Sequence, residues 1–85
     1  MKILKFYADW CGPCKQLTKT IDKFKESHPE VEIVSINVEE DETNVSNYKV
    51  SSVPTLVKVI DDKEVARKVG AMPLNELEEF ILNSN

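Results

Sequence analysis

Cysteine is scarce in this sequence, with only Cys11 and Cys14 among 85 residues. Two thiols cannot build the framework of bridges that staples a small secreted domain. Basic charge is also short. Eleven Lys and Arg face fifteen Asp and Glu, for a net charge of -4. That balance excludes a partner held by counterion release from a phosphate backbone, so no nucleic acid is expected. Long apolar runs are missing although 41% of the chain is hydrophobic, which leaves nothing to span a membrane. Breakers are few as well, two glycines and four prolines, and the apolar positions between them are periodic, unlike those of a disordered chain. No basic-then-apolar leader precedes Met1, so the expected location is cytoplasmic.

What remains is one compact domain over residues 1–85, small enough to bury only about 60 to 65% of the surface its unfolded form exposes. Lys2 to Ala8 reads as a strand covered on both faces, rich in Ile, Leu, Phe and Tyr without a breaker. From Cys14 onward, Leu17, Ile21 and Phe24 recur at helical spacing. Lys15, Lys19, Asp22, Lys23 and Glu26 mark the solvated face of that helix, and His28-Pro29 ends it. Val31 to Val38 is a β-branched strand, which completes a βαβ unit whose right-handed crossover makes the two strands parallel.

The acidic cluster Glu39 to Glu42, followed by Thr43, Asn44, Val45 and Tyr48, suits a short helix better than a metal site, because carboxylates favour a helix N-terminus. Thr55 to Ile60 and Glu64 to Val69 flank Asp61-Asp62-Lys63 as an antiparallel hairpin. Pro73 fits a first helical position, and Leu74, Leu77, Phe80 and Ile81 line one face of a terminal helix. The predicted fold class is α/β, in the order β-α-β-α-β-β-α, with a four-stranded mixed sheet flanked by helices.

Chemistry concentrates at the start of the first helix. Two cysteines three positions apart there have β-carbons about 5 to 6 Å apart, within reach of a disulfide after modest adjustment. Cys11, at the N-terminus, meets unpaired N–H groups and the positive end of the helix dipole, which favour a thiolate. Cys14 opens the apolar stripe and is expected inward and shielded. Cys11 is therefore the candidate nucleophile and Cys14 the resolving thiol. Gly12 lets a partner backbone approach, and Pro13 presets φ for the helix start. Zinc wants four ligands and finds two cysteines and a distant His28. As a structural staple, a four-residue loop is worth only about 2 kcal/mol, against about 4.7 for a long one. A redox switch uses the pair better.

These residues resemble the thioredoxin family. Trp10-Cys11-Gly12-Pro13-Cys14-Lys15 has its active-site pattern, and the likeness continues through Phe6-Tyr7-Ala8-Asp9, Ile36-Asn37-Val38, Val53-Pro54-Thr55-Leu56 and Val69-Gly70-Ala71. The resemblance implies a thioredoxin-like fold and a protein-disulfide reductase with no bound cofactor or metal. Its substrates would be disulfide-containing proteins, and its electron donor a thioredoxin reductase or similar enzyme. It also implies a monomer, with a cis peptide before Pro54 whose loop offers backbone groups to a substrate strand. Trp10, Gly12, Pro13, Val53, Gly70 and Ala71 would form a shallow apolar groove around Cys11.

Two departures stand out. The family usually has a further strand and helix ahead of the strand placed here at the N-terminus, which makes this a glutaredoxin-sized version. The family's buried acid beneath the cysteines falls at Lys5, and its partnering lysine at Ser35. Alternation puts Lys5 on the face of Ile3 and Tyr7, where it either snorkels to water or sits desolvated with a lowered pKa. Lys5 is thus a candidate modulator of the thiol pKa values. The rival functional class is a binding module that uses the same fold as a protein clamp, with redox turnover incidental.

Overall fold

A computed structural model describes residues 1–83; Ser84 and Asn85, the last two positions of the domain expected over 1–85, lie outside the described residues. The elements are β1 (Lys2–Tyr7), α1 (Gly12–Ser27), β2 (Glu32–Asn37), α2 (Glu42–Asn47), β3 (Thr55–Ile60), β4 (Lys63–Val69) and α3 (Leu74–Leu82). The order is the one the hydrophobic periodicity predicts. The sheet runs β2-β1-β3-β4, with β1 and β2 parallel and the β1–β3 and β3–β4 pairs antiparallel.

Each face of the sheet has its own core. On one, Ile3 and Leu56 meet Leu17, Ile21 and Phe24 of α1 and Leu77 and Ile81 of α3. Burying each of these side chains contributes about 1.5–3 kcal/mol, which makes the helix stripes the main adhesive of this layer. On the other face, Leu4, Phe6, Ile36, Val57 and Val59 are covered by Val45, Tyr48 and Val50 in and around α2. No residue of α2 is itself buried. Polar ties add to the packing of Val45 and Tyr48. Asp41 caps its start by accepting the Asn44 N–H at 3.0 Å, and Arg67 of β4, paired with Glu64, donates to the Tyr48 carbonyl at 2.5 Å. Only Asp41 and Glu42 of the acidic cluster stand at the helix end, since Glu39 turns back through its N–H to Asn37 Oδ1.

Several boundaries differ from the sequence reading by one residue: β1 ends at Tyr7 rather than Ala8, and β2 runs over Glu32–Asn37 rather than from Val31 to Val38. Asp61 and Asp62 both take positive φ, 53° and 65°, so two residues close the hairpin and Lys63 joins β4. Pro73 is the N-cap of α3, one position ahead of the first helical residue. None of these shifts moves the site. The register sets Phe6 opposite Thr55 and Thr55 opposite Val69. The exit of β1, the entry to β3 and the exit of β4 therefore meet at one end of the sheet, and those connections carry Cys11, Pro54 and Gly70.

Candidate active site

Chain direction at the end of β1 is reversed by a turn over Asp9 and Trp10, closed by the Cys11 N–H donating to the Ala8 carbonyl at 3.2 Å. Cys11 stays extended, at φ -89° and ψ 108°, and serves as the N-cap of α1. Its Sγ accepts the N–H of Cys14 at 3.1 Å. A sulfur thus occupies the place where a helix start usually takes a Ser or Asp oxygen, and one first-turn donor, the Cys14 N–H, points at it. Gly12 and Pro13 form the first helical positions, where the missing N–H of proline leaves no bond unmade. Cys11 and Cys14 are joined as a disulfide with Cα atoms 5.3 Å apart.

The two cysteines differ less in exposure than the sequence leads one to expect. Cys11 is 5% exposed and Cys14 3%, because the bonded sulfurs cover each other within a cluster that holds Ala8, Tyr7, Val38 and Val53. What separates them is position. Cys11 is flanked by exposed residues, Trp10 at 70% and Gly12, whereas Cys14 belongs to the buried stripe of α1 that continues through Leu17.

Val53 reaches the cluster from the loop before β3, and the Val53–Pro54 peptide is cis. The Pro54 carbonyl accepts the Gly70 N–H at 2.8 Å, which fastens the two loops together. Gly70 has φ +98°, a conformation that side-chain-bearing residues rarely adopt, so its place here follows from backbone geometry.

The groove residues expected from the sequence line more than one depression. Trp10 and Val53 line a depression of about 260 Å³ with Val38, Val45 and Val50. Ala71 lines a separate one of about 310 Å³ with Gln16, Thr20 and Met72. Gly12 and Pro13 stand exposed at the helix tip. Val38, Val45 and Val50 are not among the site residues expected from the sequence. Their signal is a recurring valine in an otherwise polar stretch.

Below the tip, Lys5 does not snorkel. It is 7% exposed, and its Nζ donates to Thr18 Oγ1 at 2.9 Å while lying 5.3 Å from the centre of the Tyr7 ring. Burial pulls its ammonium below the ordinary lysine range, opposed by the nearby Asp22 carboxylate and reinforced by Lys25. Thr18 escaped the sequence reading, although it lies one turn beyond Cys14. Ser35 is the register neighbour of Lys5 on β2 and is exposed. Among the described residues no group of three or more His, Cys, Asp or Glu is placed to hold a metal ion. No helix among them is long and apolar enough to cross a membrane.

Comparison with known proteins agrees with this geometry. A family model described as Thioredoxin matches residues 1–83. The thioredoxin of Chlamydia pneumoniae is 40% identical over 81 residues, covering 95% of this chain and 76% of that protein. Thioredoxin-1 of Saccharomyces cerevisiae is 41% identical over 71 residues, covering 84% of this chain and 69% of that one. Among solved structures, the thioredoxin of Fasciola hepatica superposes with a TM-score of 0.90 at 33% identity, over 99% of this chain and 80% of that one.

Proposed function

Because the chain belongs to the thioredoxin family and is accordingly a thiol-disulfide oxidoreductase that reduces protein disulfides, we propose that Cys11 is its nucleophile and Cys14 its resolving thiol. In the reduced protein the Cys11 thiolate attacks one sulfur of a substrate disulfide. A mixed disulfide forms, and the other substrate sulfur leaves as a thiolate. Cys14 then loses its proton and attacks the Cys11 sulfur, which closes the Cys11–Cys14 disulfide and releases the second substrate thiolate. The substrate gains two electrons and, after protonation, two hydrogens; the cysteine pair loses the same. No bound cofactor or metal is needed, since the electron pair travels on sulfur.

The observation that carries this division of roles is Cys11 Sγ at the N-cap, accepting the Cys14 N–H at 3.1 Å. The helix N-terminus stabilises a thiolate at Cys11 as the attacking group before exchange, whereas in the resolving step Cys11 is the sulfur attacked and the substrate thiolate leaves. Substrate reaches it beside Trp10, Gly12 and Pro13, with a partner strand lying along Val53-Pro54 and Gly70-Ala71. The depression under Trp10 and Val53 takes an apolar side chain of that partner. The chain acts as a monomer in the cytoplasm, and a thioredoxin reductase or similar two-electron donor restores the dithiol.

Insulin reduction driven by dithiothreitol tests the reading. The protein should accelerate precipitation of the insulin B chain, and Cys11→Ser should abolish the acceleration, a loss of at least about 1000-fold for a deleted nucleophile. Turnover no faster than dithiothreitol alone would instead favour the binding-module reading, in which the fold is a clamp.

A further inference from the structure

One buried cation is tied to the redox turn by two hydrogen bonds in series. Lys5 Nζ donates to Thr18 Oγ1 at 2.9 Å, and Thr18 Oγ1 donates to the main-chain carbonyl of Cys14 at 3.0 Å. The direction of the chain is fixed by chemistry: an ammonium has no lone pair to accept with, a carbonyl has no proton to give, and the hydroxyl does one of each. Lys5 also lies against Tyr7, whose ring packs on the cluster of Ala8, Cys11 and Cys14. The cation is thereby held below the first turn of α1 from two sides.

Its surroundings screen it poorly. From α1 it faces Thr18, Asp22 and Lys25. Its register neighbours are Ser35 on β2 and Leu56 on β3, neither of them charged. The nearest charge on β3 is Lys58, opposite Ile3, and its ammonium is occupied by the Phe80 and Asn83 carbonyls. Asp22 is the acid acting on Lys5, and it is exposed. A positive charge at 7% exposure, two hydrogen bonds away from the Cys14 carbonyl, acts through a medium of much lower dielectric than water.

We propose that Lys5 and Thr18 form a positioning pair for disulfide exchange, in which the cation, fixed under the cysteine turn by the hydroxyl, favours the dithiol form over the disulfide and makes the Cys11–Cys14 pair a stronger oxidant than it would be without them. The inference rests on the dithiol-disulfide reading of the site. Reduction by glutathione puts two electrons into the Cys11–Cys14 bond as two glutathione thiols become one glutathione disulfide. The two thiol protons end on the cysteines, or one goes to solvent where a cysteine remains a thiolate. The cation stabilises that thiolate and has no such partner in the disulfide, so the equilibrium moves toward the reduced protein.

Four proteins decide the matter: wild type, Lys5→Met, Thr18→Val and Thr18→Ser. For each, thiolate absorbance is titrated against pH and the equilibrium with glutathione is measured near pH 7.5. Lys5→Met should move the thiolate titration up by about half to one pH unit and lower the equilibrium constant for reduction about two- to five-fold. Thr18→Val should move both in the same direction by less, and Thr18→Ser, which keeps the hydroxyl, should overlay wild type. Superimposable titrations for Lys5→Met and wild type would overturn the proposal, as would Thr18→Val and Thr18→Ser behaving alike. Loosened packing would lower stability without shifting the titration. Insulin reduction separates the two levels. All four should retain it; inactive wild type would defeat the exchange reading, whereas unchanged potentials with intact turnover would defeat the lysine pair alone.

Discussion

Lys5 and Lys58 stand on adjacent strands and the same face of the sheet, Lys58 directly opposite Ile3, yet they are held in different ways. Lys58 is 2% exposed, and its ammonium donates to the carbonyls of Phe80, at 3.3 Å, and Asn83 at the C-terminal end of α3. The negative end of a helix dipole and unpaired carbonyls are a natural seat for a buried cation, and the contact fastens α3 to the sheet. Lys5 has a single hydroxyl and an aromatic face, and burial depresses its pKa. The comparison teaches that a buried lysine is assigned by its partner atoms. One lysine is part of the fold's frame, and the other is linked to the redox turn.

The sharpest way to test that contrast is to remove the frame lysine. Lys58→Met should lower unfolding free energy by about 1.5–3 kcal/mol in urea titration, since charged hydrogen bonds to helix-end carbonyls are lost. Its glutathione equilibrium should match wild type. If Lys58→Met instead shifted that equilibrium as far as Lys5→Met, any buried lysine would do, and the link through Thr18 would carry no meaning.

A smaller effect is expected at the redox end itself. Gly70→Ala meets no atom within 4 Å, so its penalty comes from holding an alanine at φ +98° and should be about 1–2 kcal/mol. Because Gly70 is bonded to the Pro54 carbonyl, insulin reduction should fall more than in Lys58→Met, although stability falls less. The reverse order would place the Pro54 and Gly70 loops outside the substrate path. The least disturbance belongs to Gly12→Ala, which also meets open space at a helical position and should leave stability within about 0.5 kcal/mol of wild type. Reduction of insulin should slow while reduction of a small aromatic disulfide stays unchanged, because only a protein partner needs close approach to the backbone there.

The order of elements was legible because each carries its own period, the β-branched run of β2 and the three-and-four spacing of Leu17, Ile21 and Phe24 among them. The cysteine pair was legible because its spacing and its helix start lie within one short segment. Other features depend on contacts between distant segments, which no local pattern encodes. The bond from Gly70 to Pro54 joins two loops, and Lys5 finds Thr18 only when α1 lies across β1. The depression under Trp10 needs Val45 and Val50 brought over from the α2 region. Near-equal burial of the cysteines was missed for another reason: exposure was inferred from each residue's place on a helix, but in the disulfide each sulfur covers the other.

Trapping the exchange intermediate tests the central claim most directly. Cys14→Ser, fully reduced and then mixed with oxidised insulin, should accumulate a mixed disulfide that mass spectrometry of its peptides places on Cys11, and Cys11→Ser should accumulate none. A trapped adduct on Cys14 in Cys11→Ser, with nothing captured by Cys14→Ser, would contradict the assignment of the attacking sulfur to the N-cap of α1.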